Sequence, residues 1–419
     1  NVALDVKAVG IQNLLDPKAN SIGLNWETTL LQKELNIKSE RERSTIFYKI
    51  LDGDVDYLSE TSDEKEKLEE KLSWVAFKQH FFSSVMSSKQ TLNNAEVAVS
   101  LATDEKSVKH YKVDADLDFS AQKDNQFAFN FFYGPNQYKV MKAHGDDFDK
   151  IINMGWGPMG WINKYVTVPI FDLLEGFNLG YGLIILLLTV FLKAILFPLT
   201  YKSYKSMAKM RVLKPQIDEI KEKVGDDNAV LLQQETMKLY KQAGVNPLGG
   251  CLPLVLQMPF TLAFFMFFPN LFELRGQSFL WANDLSTYDA FIQFSPIFGI
   301  GHISLMCVLM TLTTLLTTWY NNATSGAANN QMKYLGYIMP LVFFFVLNSF
   351  PAGLNYYYLL AAVLTFLTQV IIRQFIDDDK ILAKIEETKK NPKAQKKSSF
   401  QSKMEEMMRQ QQANQQKKK

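Results

Sequence analysis

The stretch LGYGLIILLLTVFLKAILFPL, at residues Leu179–Leu199, contains a single charged residue, Lys193. The run is long enough to cross the hydrocarbon core of a bilayer as a helix. A lysine at that depth costs about 2.5–3.5 kcal/mol on insertion scales, and such residues usually face a protein interior or a hydrated cavity. The stretch therefore predicts a membrane-spanning helix and makes Lys193 a candidate functional residue.

Two interpretations of Lys193 follow from the sequence. Pro198 lies five residues after Lys193, which is about 7.5 Å along a helix axis. If the helix ends near Pro198, the long Lys193 side chain can reach the membrane interface by snorkelling. Alternatively, Lys193 lines a hydrated cavity together with Thr189, which is four residues earlier and on the same helix face. No predicted span contains an acidic residue. This argues against a proton relay, which typically uses carboxylates, and leaves a positive site that attracts anionic groups.

The chain of 419 residues has two unlike parts. Residues 1–150 are polar, and His110–Phe119 (HYKVDADLDF) alternates strictly, as half-buried strands do. Similar patterns at Thr45–Leu51, Ala95–Leu101 and Gln126–Tyr133 predict an antiparallel β-sandwich, while Glu60–Leu72 is interpreted as a loop or short solvated helix. The scattered histidines of this part, His80, His110 and His144, lack the spacing of metal ligands, so neither a metal site nor a catalytic constellation is predicted.

The second part is apolar and aromatic. Residues 151–178 predict an amphipathic helix in the membrane interface, with Trp156 and Trp161 in an aromatic belt. Residues 179–376 predict a core of five transmembrane helices. Their approximate bounds are Leu179–Leu199, Leu248–Phe268, Ile292–Trp319, Leu335–Asn348 and Leu354–Ile376.

Loop charge predicts the orientation. Residues 200–246 hold nine Lys and Arg, and the segment from Arg373 to the end holds thirteen, whereas the loop after the second span has only Arg275. By the positive-inside rule, residues 200–246 and the C-terminus are cytoplasmic. Five spans then place residues 1–150 outside the cytoplasm. We therefore expect an export signal or anchor to precede Asn1.

Two cytoplasmic segments carry further predictions. Ser203–Val224 and Asp227–Ala243 are expected to form a helical hairpin. Its basic, Met-rich residues Met207, Lys209, Met210 and Arg211 suit either contact with anionic lipid or docking of apolar polypeptides. The tail, residues 377–419, is basic and from Lys389 of low complexity. It is expected either to be simply solvated or to bind an anionic surface such as ribosomal RNA.

Several strings of the second part resemble the YidC/Oxa1/Alb3 family of membrane protein insertases, in particular the bacterial YidC branch of Gram-negative type. They are Phe197–Thr200 (FPLT), Ser206–Arg211 (SMAKMR), Asn246–Cys251 (NPLGGC), Leu256–Pro259 (LQMP) and Phe350–Leu354 (FPAGL). Trp74–Ala76 and Tyr133–Pro135 resemble the end of the large periplasmic domain of such proteins.

The resemblance implies a groove open to cytoplasm and lipid, with a positive residue that is usually arginine and falls on Lys193 here. Lysine is a compact charge that can lose its proton when buried, whereas arginine stays charged and binds carboxylates with two parallel hydrogen bonds. The resemblance also implies polar and aromatic groove residues and a path along which substrates slide into lipid. The groove positions are Thr189, Gln257, Tyr357 and Tyr358, and the sliding path includes Met258, Pro259 and Phe344.

The predicted function is that of a membrane protein insertase and chaperone in the bacterial inner membrane, which is not an enzyme and needs no cofactor. Its expected partners are nascent membrane proteins and the lipid bilayer, with the ribosome and the Sec translocon as further candidates, and the protein is expected to be a monomer. The alternative is a small-solute transporter or channel with Lys193 in its substrate site. That class favours inverted repeats, which the sequence does not display. A structural scaffold is a third option.

Overall fold

The computed structural model describes residues 1–10, 14, 16–121, 124–225, 229–245, 252–297, 300–324 and 330–390. Within these, the chain divides into two compact units. The first contains residues 1–189, 258–311 and 343–360, and the second contains residues 190–257, 312–342 and 361–419. The motif Asn246–Cys251 and the tail from residue 391 onward lie outside the described residues.

An antiparallel β domain forms much of the first unit, as predicted. Its strands are β1 Val2–Ala8, β2 Ser21–Leu31, β3 Thr45–Ile50, β4 Val55–Tyr57, β5 Glu64–Lys67, β6 Leu72–Gln79, β7 Phe82–Leu101, β8 Ser107–Asp118 and β9 Asn125–Pro135. The long strand β7 pairs with β6 and β9 in its first half and with β5 and β8 in its second half. One cluster of buried side chains receives residues from both halves, including Met86 and Val97.

The alternation in β8 has the predicted consequence. Tyr111, Val113 and Leu117 are buried in the core, whereas Lys112 lies on the opposite face. The interpretation of Glu60–Leu72 as loop or helix is wrong, since Glu64–Lys67 is strand β5. Its four side chains are exposed, so no apolar pattern marks it. The strand exists because its backbone pairs with the edge offered by β7.

Two lysines of the β domain, Lys78 on β6 and Lys109 on β8, are fully buried. Lys109 Nζ donates to the carbonyls of Ser44 at 2.6 Å and Glu60 at 2.9 Å. Lys78 Nζ lies 3.5 Å from the Glu60 carboxylate. Burial lowers the pKa of Lys109 to about 8, and burial also lowers the pKa of Lys78. Burial of the two ammonium groups therefore has a desolvation cost, which the Glu60 carboxylate partly offsets.

These depressed pKa values predict that the β domain gains stability in alkali. An unfolded lysine titrates near pH 10.4, so between pH 8 and 10.4 the unfolded chain binds more protons than the folded chain. The free energy of unfolding should therefore rise with pH in this window, by up to about 1.4 kcal/mol per pH unit from Lys109. Urea unfolding followed by tryptophan fluorescence measures it. Lys109→Met should flatten the rise, and equal slopes in both proteins would contradict the assignment.

The segment predicted as one interfacial helix contains two short α-helices, α3 Gly157–Ile162 and α4 Val168–Glu175. They are joined by a π-helical turn, Asn163–Thr167. The turn is held by the Asn163 side chain, whose Nδ2 donates to the carbonyls of Met154 at 2.8 Å and Ala263 at 2.7 Å. Along the chain, helices α3 and α4 follow two other short helices, α1 Ile37–Arg41 and α2 Tyr138–His144. Placement of this segment in a membrane interface stays a prediction.

The long apolar helices are α5 Tyr181–Val212, α8 Leu252–Phe267, α9 Leu305–Thr324, α10 Asn330–Leu347 and α11 Ala352–Phe375. Among the described residues, α5 and α11 are long and apolar enough to cross a membrane, and Tyr334–Leu347 is a shorter apolar helix. The count of five spans stays a prediction. The expected helix end near Pro198 is wrong, because α5 contains Pro198 and continues to Val212.

The predicted third span begins too early. Residues Ala290–Ile297 and Ile300–Ser304 form an antiparallel hairpin, β10 and β11, and helix α9 starts only at Leu305. Ser304 caps the helix, since its Oγ accepts from Cys307 N at 3.1 Å. Asp289 also stabilises this end by accepting from Met306 N at 2.9 Å. A proline and glycines within the run favour strands and a turn over a helix.

In the second unit, α6 Lys214–Val224 and α7 Ala229–Gln242 follow α5. The first helix of the predicted hairpin differs from expectation. Residues 203–212 continue α5, and the break falls at Leu213, two residues before Pro215, which lies in the first turn of α6. Helix α12 Asp378–Lys390 packs on this pair. The shared core consists of Leu213, Ile217, Leu239, Ala243, Val245 and Ile385.

Candidate functional site

Lys193 lies within the second unit, on α5, and is half-buried. Its Nζ donates to the Thr365 hydroxyl of α11 at 2.8 Å. Thr365 in turn donates its own hydroxyl proton to the carbonyl of Ala361 at 2.6 Å, so its lone pairs face the ammonium. In the described part of the chain, Lys193 has no ion pair. The ammonium is therefore held by a neutral hydroxyl that leaves its charge uncompensated.

The structure removes the helix end near Pro198 from the first interpretation of Lys193, while the position of the membrane interface stays a prediction. Helix α5 extends 19 residues past Lys193 to Val212, which is about 29 Å of helix. The side chain is directed to a hydroxyl on a neighbouring helix and not along its own helix to a nearby terminus. An ammonium has three donors, and Thr365 occupies one of them. The arrangement can thus still bind a carboxylate or water.

The other predicted groove residues fall in different surroundings. Thr189 belongs to the first unit, is buried, and donates to the carbonyl of Ile185 at 2.6 Å. Its hydroxyl thus satisfies its own helix, which is a common role for threonine in membrane helices. Gln257 is half-buried on α8 in the second unit.

The two predicted tyrosines pack in the first unit. Tyr357 is buried, with its ring centroid 4.5 Å from that of Phe264 in an edge-to-face arrangement. The Tyr358 hydroxyl donates to the carbonyl of Thr261 at 3.1 Å. Both therefore hold α11 against α8. This packing accounts for both rings, and for the Tyr358 hydroxyl, without a substrate.

The residues of the predicted sliding path differ in exposure. Met258 has 57% of its surface exposed, whereas Pro259 and Phe344 are half-buried. An exposed, flexible methionine on an apolar helix suits contact with lipid or with a sliding apolar segment.

The four residues predicted for the hairpin lie at the end of α5 instead. Met207 and Lys209 are half-buried there. Met210 packs against the core shared by α6, α7 and α12. Arg211 forms an ion pair of 2.5 Å with Asp378 of α12. The basic string therefore connects the end of α5 to the C-terminal helix.

Thr365 is one of several polar residues on the last predicted span, and the sequence gives no one of them a distinct role. Its pairing with Lys193 joins positions 172 residues apart, and no local pattern could specify it.

Two family models match this chain in succession. The model described as "YidC periplasmic domain" matches residues 38–171, and the model described as "60Kd inner membrane protein" matches residues 173–380. The chain belongs to the YidC family. The resemblance expected from the sequence motifs is thereby confirmed, and the first model coincides with most of the β domain.

Curated relatives support the same family. A protein of Parabacteroides distasonis is 40% identical over 408 residues, covering 93% of this chain and 64% of the relative. One of Bacteroides fragilis is 40% identical over 400 residues, with 92% and 65% covered. Both are named "Membrane protein insertase YidC". The chain thus spans just under two thirds of the length of these relatives.

A solved structure is also similar, described as an active YidC insertase with its first transmembrane domain resolved. It is 20% identical, with a TM-score of 0.41, and the match covers 84% of this chain and 79% of that one.

Proposed function

We propose that this chain is the greater part of a bacterial membrane protein insertase, which accepts nascent apolar segments and releases them into the inner membrane. The observation that carries the proposal is the Lys193 ammonium, held within apolar helix α5 by the neutral Thr365 hydroxyl. Family membership and the name of the relatives support it. The β domain is then periplasmic and the C-terminus cytoplasmic.

The chemistry of the proposed step is electrostatic. A polypeptide tail that must cross the membrane carries polar groups whose desolvation is costly, and charged groups, acidic ones included, are the most costly among them. The Lys193 ammonium provides a transient partner for such a group part-way along α5. The Thr365 hydroxyl that holds the ammonium is neutral. It therefore does not compete with an acidic group of the substrate for the positive charge, as a carboxylate partner would. The cost of crossing is thereby lowered without any covalent chemistry.

Release is driven by the apolar segment itself. Burial of apolar surface stabilises by about 25 cal/mol per Å², so an apolar segment that reaches lipid gains far more than a single ion pair provides. We propose that Met258 and Phe344 contact the apolar segment as it leaves for the lipid, and that Pro259 shapes helix α8 for this contact. Thr189, Gln257, Tyr357 and Tyr358 would line the place where the segment enters the protein.

The cytoplasmic elements would receive the substrate. We propose that α6, α7 and the basic tail engage the ribosome, since lysine-rich segments bind RNA phosphates. Helix α12 packs against the pair formed by α6 and α7, so a ribosome bound to the tail would also orient that pair. Cooperation with the Sec translocon, a chaperone role and a monomeric state are further parts of the proposal.

The proposal is tested by depletion and complementation. Cells depleted of their own insertase receive the full protein, and insertion of a small membrane protein with an acidic translocated tail is followed by protease accessibility. We expect insertion to be restored, since the ammonium on α5 replaces the lost charge. Failure to restore insertion, with the protein present in the membrane at normal amounts, would overturn the proposal.

A further inference from the structure

A second polar region lies in the second unit, near the C-terminal ends of α5, α9 and α11, of which α5 and α11 carry basic residues in their last turn. A cavity of about 40 Å³ opens between them, lined by Arg211, Tyr320, Gln369, Ile372 and Arg373 among others. Two guanidinium groups thus line one small cavity. The proposed insertion step uses neither of them.

Two residues that line the cavity carry polar atoms that the described part of the chain does not satisfy. Gln369 is 6% exposed, and its Nε2 donates to Asn321 Oδ1, but among the described residues its Oε1 has no hydrogen-bond partner. Arg211 uses Nη2 to bind Asp378, whereas its Nε is buried and has no partner in the same described ranges. Leaving buried donors and acceptors unpaired is costly. The residues that line the cavity therefore carry one unfilled acceptor and one unfilled donor, a combination that suits a ligand with both kinds of group.

Arg373 is held in a fixed orientation at the rim. Its Nη1 donates to the Tyr320 hydroxyl at 3.1 Å, and its guanidinium lies 5.4 Å from the centre of the Tyr320 ring. Arg373 is exposed and lies two residues before the end of α11 at Phe375. Arginine and tyrosine at the end of an apolar helix are typical of the headgroup level of a membrane.

We infer that this cavity binds a phospholipid headgroup, namely a phosphodiester that carries a hydroxyl or ammonium donor. The phosphate oxygens would accept from Arg211 Nε and from the Arg373 fork, which matches phosphate geometry. The headgroup hydroxyl or ammonium would donate to Gln369 Oε1. Ile372 and Met207 line the same cavity and offer apolar contact to the start of an acyl chain.

Binding is measured on the full protein, delipidated in detergent, by titration with soluble dioctanoyl lipids. Phosphatidylethanolamine and phosphatidylcholine carry the same net charge, but only the first has a strong hydrogen-bond donor. We expect phosphatidylethanolamine and phosphatidylglycerol to bind about tenfold more tightly than phosphatidylcholine, since a hydrogen bond is gained. Inorganic phosphate, which lacks the rest of the lipid, should compete weakly.

Three variants separate the contributions. Arg373→Gln should weaken phosphatidylglycerol binding by about tenfold through the loss of a charged hydrogen bond. Gln369→Leu should abolish the preference for phosphatidylethanolamine over phosphatidylcholine. Asp378→Asn should tighten binding several-fold because it releases Arg211, and a gain cannot come from misfolding. Lys384→Gln, which removes an exposed positive charge on α12, is the matched control and should change nothing.

The inference is overturned if the three lipids bind equally, if inorganic phosphate competes as strongly as the lipids, or if Lys384→Gln weakens binding as much as Arg373→Gln. Equal binding would mean that water fills the cavity. Strong competition would mean a simple phosphate site, and equal effects of the two charge removals would mean a diffuse attraction of lipid to the basic surface.

Discussion

Replacing Glu60 with glutamine should lower the free energy of unfolding of the β domain by about 3 kcal/mol. Lys78 and Lys109 are both buried, and the Glu60 carboxylate offsets the desolvation of each. Removal of one partner from a buried pair costs about 3–5 kcal/mol, because the remaining charge stays buried. We expect the lower end of this range, since the Glu60 side chain keeps 22% of its surface exposed.

Urea unfolding of the full protein, followed by tryptophan fluorescence, measures the change. Glu69→Gln removes an exposed carboxylate nine residues further along the chain and should alter stability by no more than about 0.5 kcal/mol. The double variant Glu60→Gln with Lys78→Met should recover much of the loss, because a buried ion pair can often be replaced by apolar groups at little cost. A Glu60→Gln protein as stable as the Glu69→Gln control would show that the lysines do not depend on this carboxylate.

The two buried lysines also illustrate what the sequence could not provide. The alternation of His110–Phe119 predicts β8 correctly, because a strand with one buried face has a period of two residues. Extended back from Tyr111 by two residues, the same alternation places Lys109 on the buried face beside Tyr111, but it does not indicate what satisfies a fully buried ammonium. Its burial depends on the carbonyls of Ser44 and Glu60, which are 65 and 49 residues away in the chain.

Errors in the membrane part have a similar cause. The run from Ile292 to Trp319 is largely apolar and uncharged, and hydrophobicity alone does not distinguish a helix from a strand. Pro296 and Gly301 within this run were the available signals for the β10–β11 hairpin. In contrast, Pro198 suggested an end to α5 that the structure does not have. Prolines within membrane helices are tolerated where neighbouring groups satisfy the backbone, and that depends on contacts that only the fold defines.

Lys193→Glu should reduce insertion of a substrate with an acidic translocated tail by at least about tenfold. A pair of unit charges 4 Å apart is worth about 4 kcal/mol at an effective dielectric constant of 20, and about 1.4 kcal/mol corresponds to a factor of ten. The substitution turns this attraction into repulsion at the same position. Lys193→Arg should retain insertion, since it keeps the charge and offers more donors.

Tails of different charge separate electrostatics from a general defect. With a neutral tail, Lys193→Glu should have a much smaller effect, and with a basic tail it should equal or exceed the unaltered protein. Thr365→Val removes the hydroxyl that holds the ammonium but leaves the charge, so it should impair insertion less than Lys193→Glu does. All variants must be present in the membrane at equal amounts, as measured by immunoblotting.

The positive charge of Lys193, as distinct from the bulk of its side chain, contributes to insertion only if its removal affects acidic tails selectively. Lys193→Ala provides this test, because it deletes the ammonium without introducing a charge. If Lys193→Ala inserts every substrate normally, the Lys193 charge is not part of the mechanism. If it impairs acidic, neutral and basic tails alike, the lysine acts through the packing of α5 against Thr365. Selective loss with acidic tails is the expected result, because in the described part of the chain the ammonium has a hydroxyl and no carboxylate beside it.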